Sequence, residues 1–339
     1  MSIEIVRSLP DEVWDGFVEQ NPLSNIFHTR HFFESFRASR KYVPYCFFID
    51  DDKAVTACLL ALKAKILGPF LENATSRSVV YGGILYGEGI NDRYIQRHMG
   101  KLIQAYDETL RKKTLYSEIR NMGDAIRLIL PLADQGHKFV PHLNYLIDLT
   151  QGEEHLWRNL SQALRRTIKG AIKKNIEIVE VSDEGQLEPF VELVQQTYAK
   201  VHIPCFDLEV FRNVWRNLYP MRRIRITLAE YREQFIAARA DLVYRGRVFD
   251  WFAGSSPEGD ALNANPLLAW DMIEWSCRNG YETFDFGGAG DPNRKYTVRE
   301  FKRRFGGRLV NFGRFEKVYS PVLYSLGHVG YNALRRIIF

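Results

Sequence analysis

The order strand, long helix, strand occurs twice in this chain, and that repetition limits the fold more than any single motif does. In the first half SVVYGGILYG is followed, after a gap, by a helical stretch over residues 91–113 and then by TLYSEIR. In the second half VFDWFAGS is followed by a helical stretch over 266–278 and then by ETFDFGG. The first helix is set by Tyr94, Ile95, Met99, Leu102, Ile103, Tyr106 and Leu110, which fall on one face at the 3.6-residue period. IEIV, YCFFI and AVTACLLAL, rich in β-branched and aromatic residues, read as short strands. The halves agree in order and length rather than in residue identity, and the repetition predicts two related α/β domains.

A chain of 339 residues has room for two such domains. The boundary is expected near IDLTQGEEHLW, where strand-like alternation gives way to a helix start with Thr150 as cap and Glu153 three residues on, a capping box. This predicts domains at 1–149 and 150–317, with 318–339 as an amphipathic C-terminal helix. The basic helix pair over 156–174 would then sit where the domains meet.

Hydrophobic residues make up 46% and charged residues 26%, which excludes disorder, collagen and coiled coil. Cys46, Cys58, Cys205 and Cys277 form no CxxC pair, so no zinc ribbon or disulfide framework is expected, and a reducing, cytoplasmic compartment is. The N-terminus carries acids where a signal peptide needs an apolar run. The longest stretch free of Asp, Glu, Lys and Arg, 318–334, holds Pro321, His328, Asn332 and two glycines, a poor transmembrane segment. Val322, Leu323, Leu326, Val329, Ala333, Leu334 and Ile337 share one of its faces, so contact of 320–339 with an anionic membrane is expected beside the plainer reading of packing on its own domain.

Charge is uneven. Residues 1–150 hold 18 basic and 18 acidic residues, and the remainder hold 28 and 23, so the whole formal excess of +5 lies in the second half. Arg158, Arg165, Arg166, Lys169, Lys173 and Lys174 follow one another without an acid, and 294–308 carries seven basic residues against Glu300. Two such fields suit phosphates, whether of a nucleotide, a nucleic acid or a lipid head group. Arg165, Lys169 and Lys173 are spaced by four and line one helix face.

The segments LSQALRRTIKGAIKKNIEI, DWFAGS, NPLLAWDMIEWSCRNGYETFDFGG and REFKRRFGG, in that order, resemble the Fem-type aminoacyltransferases that build peptidoglycan cross-bridges, within the wider acyltransferase group of tandem acetyltransferase-like (GNAT-like) fold. The resemblance covers roughly residues 145–310, and the first half more loosely through IFHTRHFFESF. It implies two tandem GNAT-like domains with mixed sheets and flanking helices. It implies transfer of an acyl group, often an aminoacyl ester on tRNA, to an amine of a nucleotide- or lipid-linked cell-envelope precursor. In that pattern the Lys of FKxxFGG, here Lys302, stabilises the tetrahedral oxyanion with Phe301 packed beside it, and Arg165, Arg166 and Lys169 face phosphates. The sequence shows no long helical hairpin of the kind that serves as an arm in some cross-bridge enzymes.

Other chemistries are weaker. The stretch WFAGSSPEGDALNANP lacks the RxxGxG/A turn that holds a coenzyme A pyrophosphate, so acetyl- or acyl-CoA is the alternative donor, as for an N-acyltransferase of an exopolysaccharide or amino-sugar precursor. A non-catalytic binding module is a further alternative. His28 and His31 lack the acids of a metal motif, no metal is expected, and no GxSxG elbow or Cys–His pair calls for a covalent nucleophile. GGAGDPN at 287–293 reads as a turn, and Trp251, Phe252, Phe284 and Phe286 read as core. Asp250 and Asp285, near strand ends, are candidate proton acceptors, beside a plain strand-end role for each and loss of the proton to water, and the general base is left unassigned.

Overall fold

A computed structural model of the chain describes residues 3–51, 54–65, 71–200 and 205–325. They form two compact units, residues 1–141 with 312–339, and residues 142–311. Most of the expected helix over 318–339 lies outside the described residues. Among the described residues no helix is long and apolar enough to cross a membrane.

The first unit is built on a sheet of β1 (Ile3–Val6), β2 (Tyr42–Asp51), β3 (Ala54–Ala64), β4 (Arg77–Gly82), β5 (Leu85–Tyr86), β6 (Tyr116–Asn121), β7 (Lys138–Val140) and a late strand described below. The helix Asp92–Leu110 starts at Asn91, whose side chain accepts from the Tyr94 amide, and buries Ile95, Met99, Leu102, Ile103 and Tyr106 against Phe47, Leu59, Val80 and Ile119. The second unit repeats the plan with β8 (Leu143–Asp148), β9 (Glu177–Glu180), β10 (Ile224–Tyr231), β11 (Gln234–Tyr244), β12 (Arg247–Ser255), β13 (Thr283–Gly288) and β14 (Arg308–Asn311). Its counterpart helix, Ala264–Arg278, packs Leu267, Leu268, Met272 and Ile273 on Phe284, Phe286 and Val248.

The strand orders are β1-β2-β3-β4-β6-β15-β7 and β14-β8-β13-β12-β11-β10-β9, where β15 is Arg314–Val318. Read from the β9 edge, the second sheet matches the first position by position, and the parallel pair falls at the same place in each, β4 with β6 and β12 with β13. The sixth position is filled from the far end of the chain in the first sheet, and by the strand that opens the second unit in the second. β8, which follows β7 after Pro141 and His142, lies in the second sheet, whereas β15, which follows β14 after Phe312 and Gly313, lies in the first. The halves thus exchange one strand each.

This exchange moves the division of the chain earlier than Leu149. Strand pairing is non-local, and β8 carries Leu143, Tyr145 and Ile147 into the second core. The Thr150 capping box does not form: Asp148 accepts from the Thr150 amide and hydroxyl in a 3₁₀ turn, and the helix Glu153–Asn159 starts at Gly152 at φ 82°. Residues 312–318 return to the first unit, where Phe315 is buried against Phe139 at 5.3 Å between ring centroids. Phe315→Ala is expected to cost about 3–5 kcal/mol and to lower the urea midpoint of the first unit; an unchanged midpoint would mean that the exchanged strand anchors nothing.

Candidate active site

Lys302 lies in the last turn of the helix Thr297–Arg303, yet it is only 7% exposed. Its ammonium donates to the carbonyl oxygens of Phe286 and, at 2.8 Å, Gly288. Both carbonyls are available because the end of β13 is distorted. The register against β8 shifts between Asp285 and Gly288, and Gly287 sits at φ 66°, a left-handed conformation that a Cβ would strain. The Gly287 amide folds back onto the Asp285 carboxylate at 2.7 Å, and Asn144 of β8 donates to the same carboxylate at 3.2 Å.

Asp250 enters from β12 at a bulge. Ala240 faces Phe252 and Asp241 faces Asp250, which leaves Trp251 as the extra residue. On β11, the fully buried Arg239 donates from Nε to the Asp241 carboxylate at 2.9 Å, its Nη2 is 3.3 Å from Asp250, and its guanidinium lies 5.4 Å from the Phe284 ring. Five ionisable groups, Arg239, Asp241, Asp250, Asp285 and Lys302, therefore influence one another with little water between them. Burial pushes the Asp285 carboxyl up to about 6 against the opposing pull of the Gly287 amide, Asn144 and Lys302. Burial likewise raises Asp241 to about 7 despite Arg239. It lowers the Lys302 ammonium, an effect that Asp250 and Asp285 oppose.

Of the residues singled out in the sequence, the structure brings Lys302, Asp250 and Asp285 together. Phe301 adjoins Lys302 in sequence, but its ring packs into the core on Phe305 at 5.2 Å. The helix Gln162–Ile172 buries Leu164, Ile168 and Ala171 and turns Arg166 and Lys169 outward. Arg165 is half-buried and donates to the carbonyl oxygens of Arg158 and, at 3.4 Å, Trp157, so it also closes the C-terminus of the preceding helix. Lys169 stands 5.9 Å over the Trp157 ring. The two basic fields are neighbours, because the amide of Ser161, the cap of the helix Gln162–Ile172 in the first, donates to the Arg304 carbonyl of the second at 2.8 Å. Trp251, Phe252, Phe284 and Phe286 are packed among other aromatic rings. His28 accepts the Asn25 amide at 3.1 Å in a capping box.

Arg239, Asp241 and Asn144 were not singled out. Arg239 and Asp241 break the apolar run of β11 at i, i+2 spacing, and a charged pair inside a strand that otherwise reads as buried was the available signal. Asn144 carried no signal, since its partner lies 141 residues away.

Comparison with known proteins fits this geometry. Residues 158–303 match the acetyltransferase (GNAT) domain family. Over 189 residues the chain is 21% identical to the UDP-N-acetylmuramoylpentapeptide-lysine N(6)-alanyltransferase of Weissella viridescens, a match that takes in 55% of this chain and 56% of that one, so it spans little more than half of that relative's length. Among solved structures, FemX superposes with a TM-score of 0.69 at 14% identity over 96% of this chain and 99% of its own. A tandem GNAT protein from the clavulanic acid biosynthesis pathway gives 0.60 at 12% over 94% and 99%, and L-PGS from Bacillus licheniformis gives 0.56 at 15% over 92% of each. The chain as a whole has the fold of these tandem GNAT proteins.

The raised Asp285 carboxyl fixes a sign. An unfolded aspartate titrates near ~3.9, and between that value and about 6 the folded chain keeps a proton the unfolded chain has lost. Stability from this group is therefore full below the unfolded value and is lost as pH rises through about 6. Asp285→Asn is expected to flatten the fall in melting temperature across this window relative to the parent chain, and parallel curves would show that Asp285 does not titrate there.

Proposed function

We propose that this chain is an acyltransferase that moves an acyl group, aminoacyl in the first reading, from an ester to an amine of a peptidoglycan or other cell-envelope precursor. The observation that carries this reading is the buried Lys302 ammonium, fixed by two backbone carbonyls beside two carboxylates on a GNAT domain. An ammonium has three N–H donors, and two are used on Phe286 and Gly288. The third is left for an oxyanion that forms when the amine attacks the acyl carbon, and in a water-poor site a donor set in place beforehand stabilises that charge strongly.

The attacking amine must lose a proton. Asp285, with its carboxyl raised to about 6, is ionised at neutral pH yet basic enough to accept one. Asp250 is the more exposed of the two carboxylates, at 14% of its side chain, and is the one better placed to meet the amine first. Arg239 holds Asp250 and Asp241 in place. Arg165, Arg166 and Lys169, with Arg304 close by, supply the positive face for phosphates of a nucleotide-linked acceptor or of a tRNA donor. The alanyltransferase similarity supports transfer of an aminoacyl group, and charged tRNA is the donor in this reading. The second reading, a coenzyme A thioester, is supported by the tandem GNAT likeness. Against it, Gly259 follows β12 in close contact with β11, its added Cβ falling 2.0 Å from the Ile236 carbonyl oxygen, so this glycine serves packing.

Lys302→Ala is expected to lower kcat by about 10²–10³ with KM little changed, whereas reversal of charge at Arg165 and Lys169 raises KM. A kcat that survives Lys302→Ala would sink the catalytic role. Donor screening by thermal shift separates the readings: stabilisation by charged tRNA supports the first, stabilisation by acyl-CoA alone supports the second, and silence with every donor argues for a binding module. For a lipid-linked acceptor, 320–339 would hold the enzyme at the inner face of the membrane. A chain truncated before Ser320 should then fold and lose vesicle binding, and unchanged vesicle binding would remove this segment from the proposal.

A further inference from the structure

When an amine displaces the oxygen of an ester, a C–N bond forms and a C–O bond breaks, the nitrogen loses one proton and the departing oxygen gains one. Asp285 and Asp250 answer for the first proton from the buried side of the site. Lys302 has its ammonium committed to two carbonyls and an oxyanion. The second proton needs another donor, because an oxygen that leaves as a bare alkoxide leaves slowly.

His142 stands where that donor is required. Of the residues that end β13, Phe286 and Gly287 are buried and Gly288 is exposed, so solvent reaches the strand end from the Gly288 side. The half-buried His142 ring lies against that residue. A Cβ added to Gly288 would fall 2.8 Å from His142 Nε2 and 3.5 and 3.9 Å from its Cδ2 and Cε1, so the imidazole fills the space of a side chain at 288 with Nε2 foremost. Gly288 thus joins two groups: its carbonyl accepts from Lys302 at 2.8 Å, and its bare Cα admits the imidazole. The backbone around the ring is pinned. The His142 amide donates to the Asn311 side chain at 2.9 Å, the Leu143 amide to the Gly290 carbonyl at 3.0 Å, and the Ala289 amide to the Leu143 carbonyl. His142, Gly288 and Lys302 all belong to the second unit.

We propose that His142 donates a proton from Nε2 to the departing oxygen of the acyl donor. Imidazole is the side chain that gives and takes a proton near neutrality, and this one is on the exposed side, by which the larger part of a donor leaves. After the step the carboxyl returns the amine's proton to water and the imidazole takes one up, so the cycle balances. The charged side chains on the segments around the ring are Asp285 of β13, Asp291 of the turn after it, Arg299 and Lys302 of the helix Thr297–Arg303, and Arg308 of β14. The role rests on the transfer reading and sharpens it toward an ester donor, since a thiolate is stable enough near neutrality to leave unaided.

Two measurements on the full chain test this. The first needs no donor: among the ring resonances of the eight histidines, with His142 assigned through His142→Gln, Gly288→Ala is expected to shift those of His142 most. Unmoved His142 resonances in a Gly288→Ala chain with the parent's circular dichroism would take the ring off Gly288 and overturn the role. The second compares alanyl-tRNA with an alanyl thioester of coenzyme A, the lysine-containing UDP-N-acetylmuramoyl pentapeptide being the acceptor. His142→Gln is expected to slow transfer from the ester by about 10²-fold, to abolish the fall in that rate as pH rises and the imidazole loses its proton, and to leave transfer from the thioester nearly unchanged. Equal losses with both donors, or no loss with the ester, would mean that His142 gives no proton to the leaving group. A parent chain active with the thioester alone keeps the transfer reading and removes this role; one active with neither removes both.

Discussion

An ammonium taken almost wholly out of water costs several kcal/mol unless the protein replaces its hydration, and the second unit is arranged around meeting that requirement at Lys302. Two carbonyls do it, and both belong to the FGG end of β13. Residues in a regular strand would send those carbonyls to the neighbouring strands. The left-handed turn at Gly287 and the register shift before Gly288 free them, while the Asp285 carboxylate takes up the amide that the distortion leaves over. A glycine, an acid and a lysine scattered over 18 positions are thereby one device, and altering any of them disturbs the other two.

The exchanged strands explain why the device sits in so firm a frame. β8 brings Asn144 to Asp285 and also pairs with β13 and β14, so the chain segment that leaves the first unit becomes an inner strand of the second sheet. β15 does the same for the first sheet, where Lys317 and Tyr319 both reach Asp107 on the long helix, at 2.7 Å each. Neither sheet is complete without a strand that the other half of the sequence supplies. Gly307 marks how closely β8 is packed within the second unit: at φ 88°, its added Cβ would fall 2.6 Å from the Leu146 carbonyl oxygen of β8.

The repeated order of elements, the long helices and the meeting of Lys302 with Asp250 and Asp285 were legible because they rest on local periodicity and on a motif whose residues are few and distinctive. The exchange was not, since β8 and β15 read as ordinary strands and nothing in IDLT or RFEKV says which sheet they join. Thr150 failed as a cap for a local reason: Asp148, two residues before it, takes both the Thr150 amide and the Thr150 hydroxyl. Arg239 and Asp241 escaped because a buried charge pair is recognised by its partners, and those come from β12 across a bulge that shifts the register by one residue. The neighbourhood of the two basic fields hung on a single long-range backbone bond between Ser161 and Arg304.

Asp285 and Glu118, the third residues of β13 and β6 in matching places of the two sheets, show how one scaffold position can be given opposite chemistry. At Asp285 the nearby charges nearly cancel, with Asp250 working against Lys302, so burial prevails and the carboxyl rises to about 6, where it can exchange a proton at physiological pH. At Glu118 burial pushes the same way, but Arg120 and Arg314, with Arg77 adding to them, outweigh it and hold the carboxyl down to about 2. That acid never takes up a proton under working conditions; it serves as the fixed counter-charge that keeps arginines clustered on a sheet face. Duplication supplied the same strand, the same face and the same exchanged neighbour twice, and the balance of charge around the acid then decides whether the position moves protons or organises cations.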